Sequence, residues 1–235
     1  MFYEVKPSYC CDAKPIHRSN TMDIKEVKVM KKILSANDKI AEELRQDLKK
    51  KNIRFINLMS SPGSGKTTIM EKTAMSFGEK ICVIEGDIQT TLDAERVAKA
   101  GIQTYQINTG AFGGDCHLES NWIKSAMEEM DLSGIETIFV ENIGNLVCPA
   151  EFDVGAHTNA VVLSVTEGED KPLKYPLAFQ SSQLCIISKT DLLPHLDIKI
   201  EDIRENVKKV NPKMKIIELS AKTGEGFDAW IEYLK

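Results

Sequence analysis

The sequence has no long apolar run, no surplus of positive charge and no low-complexity tract or internal repeat. No stretch of its 235 residues approaches the roughly 20 apolar residues of a membrane-spanning helix, and 160–165 is typical of the longest. Residues 1–14 carry no apolar core of a secretory signal, so the expectation is a cytoplasmic protein with no membrane partner. Lys and Arg number 30 against 35 Asp and Glu, a net charge of −5, which argues against a nucleic-acid binder acting through its overall charge. Six cysteines (Cys10, Cys11, Cys82, Cys116, Cys148 and Cys185) then read as core thiols or metal ligands rather than a disulfide framework.

What is present is ordinary globular composition, 42% apolar and 28% charged. A chain of 26.3 kDa buries about 70% of its extended surface on folding, enough for a full core. Residues 1–20 lack periodicity and contain Pro7 and Pro15, which reads as a flexible arm. Segment 21–51 is helical in pattern. Val27, Met30, Ile33 and Leu34 begin an apolar stripe that Ile40, Leu44 and Leu48 continue. It is one helix, or two joined near 35–38 with Ser35 or Asn37 as a cap. From residue 52 to 235, short β-rich runs (53–59, 81–85, 104–107, 137–141, 160–165, 184–188, 215–219) alternate with helical patterns (66–77, 92–100, 118–130, 203–210, 227–234). Continuous apolar strands such as Val161-Val162-Leu163 suit a sheet covered on both faces. The expected fold is α/β, a mostly parallel sheet between helices with an N-terminal helical extension.

The first strand runs into Ser60-Ser61-Pro62-Gly63-Ser64-Gly65-Lys66-Thr67-Thr68 and then a helix. This fits the Walker A phosphate loop except that Ser60 stands where the first Gly belongs. Gly63 and Gly65 let backbone N–H groups approach phosphate oxygens, and the helix N-terminus adds its dipole. Lys66 reaches the β- and γ-phosphates and the Thr67 hydroxyl sits on Mg²⁺. A strand at 184–188 leads into Ser188-Lys189-Thr190-Asp191, close to the Asn-Lys-x-Asp guanine reader of GTPases. The Asp191 carboxylate would accept from guanine N1–H and its 2-amino group, and the Lys189 stem would cover the base. Ser188 in place of Asn removes an amide that tethers the phosphate loop. Ser220-Ala221-Lys222 resembles the GTPase loop that contacts the guanine oxygen.

Two acids close strands beside this loop, Asp87 in Glu85-Gly86-Asp87 and Glu141 in Glu141-Asn142-Ile143-Gly144-Asn145. With Thr67 they are the candidate Mg²⁺ ligands, and with Lys66 the candidate catalytic groups; each acid also fits a plain strand cap. No Asp-x-x-Gly follows the 137–141 strand, unlike Ras-like GTPases. Cys116-His117 and Cys148 follow strands on the same expected sheet edge, and two thiolates with an imidazole suit Ni²⁺ or Zn²⁺. From spacing alone, buried or incidental side chains explain them as well. Cys82 and Cys185 read as core, and His17, His157 and His195 as surface or loop.

Taken together, 57–68, 85–90, 106–110, Cys116-His117-Leu118, 141–149 and 164–176 resemble one family, the HypB hydrogenase-maturation GTPases that assist nickel insertion. The resemblance runs from about residue 25 to the C-terminus. It implies a GTP- and GDP-binding domain whose nucleotide contacts include Lys66, Thr67, Asp191 and Lys222, with Asp87 and Glu141 as switch acids. It implies a nickel or zinc site of Cys116, His117 and Cys148 shared across a homodimer. The implied partners are another nickel-accessory protein and the hydrogenase large subunit. The loop before Cys116 is longer than the family's usual one, and the N-terminal Cys-x-x-Cys-Gly-Cys nickel motif of some members is absent. Slow intrinsic hydrolysis is expected, since no residue clearly positions the attacking water. A urease-directed GTPase and a nickel storage module are the alternatives. A small-molecule kinase would leave the guanine motifs unexplained.

Overall fold

The computed structural model describes residues 24–88, 92–112 and 116–235, with side chains from residue 34 onward except at 111 and 112. The arm with Cys10, Cys11 and His17, the pair Gln89-Thr90 and the loop 113–115 lie outside the described residues.

One helix, α1 (Ile24–Lys50), runs unbroken through 35–38. It ends where Asn52 takes a left-handed φ of 56°, and Ile53 N–H then donates to Leu48 O at 3.0 Å. Asn37 does not cap its own helix. Its Oδ1 accepts from the backbone N–H of Ser120 at 2.9 Å, the first residue of α4 (Ser120–Glu129), and its Nδ2 donates to Asp153 O at 2.8 Å. A second long-range tie is Arg45, which grips the Asp153 carboxylate at 2.6 and 2.9 Å and donates to Ala156 O at 3.1 Å. His157, in the loop before β5 as expected, belongs to the same seam. Its Nδ1 accepts from Phe55 N–H at 3.0 Å and its Nε2 meets Arg45 O at 3.1 Å. Burial holds its pKa below the usual range. Asn37→Ala should cost about 1–2 kcal/mol, because it removes a helix cap and leaves the buried Ser120 amide unpaired, while the Ser120 hydroxyl keeps its bond to the Asn37 backbone carbonyl at 2.8 Å. Urea midpoints check this; a loss below about 0.5 kcal/mol would show that α1 is held by its apolar face alone.

The strands are β1 (Arg54–Ser60), β2 (Ile81–Asp87), β3 (Gln103–Asn108), β4 (Thr137–Glu141), β5 (Thr158–Ser164), β6 (Leu184–Ser188) and β7 (Lys215–Glu218). They form one sheet in the order β3-β2-β4-β1-β5-β6-β7, parallel at every pairing. Parallel strands need crossovers, and most are helical: α2 (Lys66–Phe77), α3 (Leu92–Lys99), α4, the short α5 (Cys148–Glu151), α6 (Lys171–Lys174) and α7 (Pro176–Gln180), then α8 (Ile200–Val210), with α9 (Phe227–Leu234) last. Side chains alternate along β1. Ile56 and Leu58 face a core shared with Ile69 and Met70 of α2 and Trp230 of α9. On the other face Phe55 packs with Leu44 of α1 and Ile123 of α4, while Met59 packs with Phe179 of α7 and Ile203 of α8. Asn57 sits on that face at the seam between the two clusters. Its Oδ1 accepts from Asn142 just past β4 at 3.1 Å and its Nδ2 donates to Asn159 on β5 at 3.0 Å, so a buried polar side chain is satisfied.

Every strand therefore ends at the same edge. The crossovers reverse on either side of β1, between β4 and β5, where parallel α/β sheets place their ligands. No helix among the described residues is long and apolar enough to cross a membrane.

Candidate functional site

The phosphate loop leaves the end of β1. Gly63 and Gly65 take φ of +74° and +97°, the left-handed region that a side chain resists. No side chain caps the N-terminus of α2, so its first N–H groups point into the loop. The Ser60 departure is explained. Ser60 is strand residue with ordinary backbone, and its buried Oγ accepts from Lys66 Nζ at 2.7 Å. The serine positions the lysine.

A cavity of about 470 Å³ opens at this point, lined by Gly63, Ser64, Gly65, Lys66, Thr67 and Thr68 with the acids Glu85, Asp87, Asp93 and Glu141. Thr67 Oγ1 donates to Glu141 Oε1 at 2.7 Å, and Asp87 Oδ1 accepts from the Ile88 amide. The second oxygens of Glu141 and Glu85 are buried without a hydrogen-bond partner. A hydroxyl and orphaned carboxylate oxygens are hard donors of the kind Mg²⁺ takes, so the residues fit that ion. Burial is the main reason that Glu141 is held above the usual carboxylate range, offset in part by Lys66 and by the Thr67 bond. Burial also lowers Lys66, against the charge of Glu141.

Glu85 is the acid that sequence reasoning passed over in favour of Asp87. In the sheet it pairs in register with Glu141. The sheet sets that pairing, between residues 56 positions apart, so it leaves no local pattern in the sequence. Arg96 of α3 also lines the cavity, held by Glu71 at 2.7 Å, and nothing in its helical pattern marked it. Burial first, then the charge of Glu141, pushes Glu85 from 4.5 up to about 8. The folded protein keeps this proton up to about pH 8, while the unfolded chain releases it near 4.5. Between those values the folded state binds more protons, so stability falls as pH rises through the window. Glu85→Gln has no proton to lose. Without nucleotide or metal it should melt above wild type at about pH 8 and level with it at about pH 5. An offset equal at both pH values would assign the effect to packing.

A second cavity of about 270 Å³ adjoins the first across Ser64, Gly65, Thr68 and Lys189, and is lined further by Asp191, Leu192, Ala221 and Lys222. Lys189 adopts φ +59° and lays its stem across the phosphate loop, donating from Nζ to Gly63 O at 2.6 Å. A left-handed lysine costs about 1 kcal/mol, tolerated here where the side chain roofs a pocket. Asp191 Oδ1 accepts from Ser220 Oγ at 2.6 Å, and Ser220 Oγ also takes the Thr223 amide at 3.1 Å. Ser220 thus lies behind the carboxylate, while Ala221 and Lys222 reach the cavity. The tether expected to be lost at Ser188 is kept in another form. Its hydroxyl donates to Ser64 O at 2.6 Å.

Cys116 and Cys148 meet at the same edge, where sequence reasoning expected free thiols. Their sulfurs are joined as a disulfide, with Cα atoms 6.2 Å apart. A disulfide uses both thiolates, so no group of three His, Cys, Asp or Glu residues stands ready for a metal among the described residues. His117 is next in the chain. Its ring stacks on Phe152 at 3.6 Å and its Nε2 is buried without a hydrogen-bond partner. Reduction frees two thiols close in the fold to an imidazole nitrogen without a hydrogen-bond partner, and with the thiols ionised on metal binding this is a soft donor set that fits Ni²⁺ or Zn²⁺. Cys82 and Cys185 are buried in strands, and burial pushes the Cys82 thiol up to about 12.

A seven-stranded parallel sheet with a phosphate loop at its switch point defines a P-loop nucleotide-binding protein. Residues 54–218 match the family model "CobW/HypB/UreG, nucleotide-binding domain". The hydrogenase maturation factor HypB of Azotobacter chroococcum mcd 1 is 42% identical over 221 residues, covering 93% of this chain and 72% of that one. The crystal structure of HypB from Helicobacter pylori in complex with nickel superposes with a TM-score of 0.79 at 39% identity, over 85% of this chain and 93% of that one. HypB from Archaeoglobus fulgidus gives 0.78 at 36% identity, over 86% and 98%. The chain belongs to the HypB family of hydrogenase maturation factors.

Proposed function

We propose that the chain is a GTP-hydrolysing metallochaperone that binds nickel, or zinc, and assists nickel insertion into the hydrogenase active site through GTP-dependent dimerisation in the cytoplasm. The observation that carries this reading is the single sheet edge that holds three things: a base cavity with Asp191, a phosphate cavity with Lys66, and the Cys116–His117–Cys148 cluster. The segment from Glu141 to Cys148 runs from the second to the third.

Asp191 selects guanine, and Lys189 and Lys222 flank the base. The amides at Gly63, Ser64, Gly65 and Thr68 with the Lys66 ammonium hold the phosphates and neutralise charge that builds as water displaces GDP from the γ-phosphate. Thr67, Asp87 and Glu141 are the residues that would hold Mg²⁺, which would supply further neutralisation of the phosphate charge. Nickel is cargo, taken by the reduced cysteines and His117 and passed on to another accessory protein or to the hydrogenase large subunit. Val147 at the N-cap of α5, Leu173 on α6 and Leu177 on α7 are exposed large apolar side chains, and α7 packs against both short helices, which suits a face that a second copy covers.

Light scattering on the reduced protein tests this, with GDP or a non-hydrolysable GTP analogue, each with and without stoichiometric Ni²⁺. The analogue or the metal should convert monomer to dimer, and Cys148→Ala should remove the metal effect alone. A mass that never changes, with nickel binding indifferent to nucleotide, would leave a storage module instead.

A further inference from the structure

We propose that Asn145 is the positioning residue through which the phosphate loop sets the spacing of the two cysteines; this rests on the nucleotide-and-nickel reading above. The segment after β4 touches the nucleotide site at successive points. Glu141 accepts from Thr67. Gly144 packs so tightly on Pro62 that a Cβ would lie 3.1 Å from the ring and 3.3 Å from its backbone. The main chain of Asn145 then bridges, antiparallel, to Ser60, the residue whose hydroxyl holds Lys66.

From that anchored position the Asn145 amide reaches both cysteines. Nδ2 donates to the backbone carbonyl of Cys116 at 2.8 Å. Oδ1 accepts from Val147 N–H at 2.7 Å and, more weakly, from Cys148 N–H at 3.4 Å. The contacts to Val147 and Cys148 are a local Asx turn and explain an asparagine by themselves. The contact to Cys116 spans 29 residues and has no part in that turn. Once the disulfide is reduced, this one planar group is the tie between Cys116 and Cys148, while its own backbone is fixed to Ser60. A movement of the phosphate loop at 60–62 carries 144–145 with it and changes the distance between the two sulfurs. Soft-metal sites are sensitive to such changes, because bond lengths and angles at the ion are narrowly set.

Asn145→Asp separates the two roles. It keeps the acceptor that the Asx turn needs and removes the donor that Cys116 needs, whereas Asn145→Ala removes both. The reduced proteins are titrated with Ni²⁺, reading thiolate-to-nickel absorbance, once with GDP and once with a non-hydrolysable GTP analogue and Mg²⁺. The quantity compared is the ratio of the two nickel dissociation constants; a charge added beside the metal affects both and cancels. Wild type should give a ratio of at least about fivefold, and both variants a ratio within about twofold of one. GDP affinity and melting temperature, measured alongside, should stay near wild type. If Asn145→Asp keeps the wild-type ratio, the amide only builds the turn and the inference is overturned. Coupling then runs elsewhere, for instance where Gly86 at the end of β2 leaves no room for a Cβ against Leu118. A wild-type ratio of one removes the underlying reading, and the inference falls with it.

Discussion

Asp191→Asn is expected to weaken GDP binding by about two to three orders of magnitude and to create affinity for xanthosine diphosphate. Asp191 lines the second cavity with Leu192, Ala221 and Lys189, where the proposed guanine would sit. Guanine offers two donors on one edge, N1–H and the 2-amino group, which a two-oxygen acceptor matches. Each bond to a charged acceptor is worth about 1.5–3 kcal/mol, and an unmatched donor keeps its desolvation cost. Adenine has no 2-amino group and an acceptor at N1, so it meets the carboxylate with like polarity. The substitution does more than delete a contact. Ser220 Oγ donates to Asp191 Oδ1 at 2.6 Å, and in the asparagine variant that hydroxyl should hold the amide oxygen, turning the NH₂ toward the base. Xanthine carries an oxygen where guanine carries its 2-amino group, so the amide donates to it. Calorimetric titration with GDP, xanthosine diphosphate and ADP checks all three limbs. GDP affinity within about threefold of wild type would mean that Asp191 does not read the base.

The residues that carried the sequence argument did so for physical reasons that differ from site to site. The inner strands were legible because parallel strands buried on both faces become continuous apolar runs, and 137–141 and 184–188 match β4 and β6 at both ends, whereas the partly exposed edge strands β3 and β7 showed only as short β-rich runs beside helical patterns. The phosphate loop was legible because its glycines answer a backbone demand that no other residue meets cheaply. Helices α5, α6 and α7 were not, since elements of four or five residues opened by proline hold little more than one turn of periodicity. Ser60 and Ser188 looked like departures from their motifs. Each replaces a motif residue with a hydroxyl whose partner, Lys66 Nζ or Ser64 O, lies in the phosphate loop. The cap expected of Asn37, the partners of His157 and the place of Glu85 were missed for the same reason. Their roles lie in partners 102, 83 or 56 positions away along the chain, in Phe55, Ser120 and Glu141, and pairings at that distance leave no local pattern.

Lys66→Ala should lower the rate of GTP hydrolysis by at least about 10²–10³-fold, some 3–4 kcal/mol of transition-state stabilisation. Lys66 is buried at the head of α2, only 8% exposed, and directed by Ser60 rather than by solvent. Its neighbours by charge are Glu141, Asp93, Glu85 and Glu167, so it is a buried cation in the acidic cavity where the proposed GTP would place its phosphates. Removing it raises the electrostatic cost of the phosphates and of the acids together. Lys66 is among the influences that hold Glu85 and Glu141 down, so in its absence both carboxyls rise further. The nucleotide-free variant should then lose more melting temperature at about pH 8 than at about pH 5, because deprotonating either acid in the folded state has become harder. Nickel binding by the reduced cysteines and His117 should persist in the same variant, since none of the three touches Lys66. That combination separates a switch from a store. A switch variant keeps its cargo and no longer releases it on hydrolysis, whereas a store is indifferent to the loss of Lys66. Phosphate release by Lys66→Ala within about tenfold of wild type would remove the lysine from the chemistry and leave the P-loop as a binding site alone.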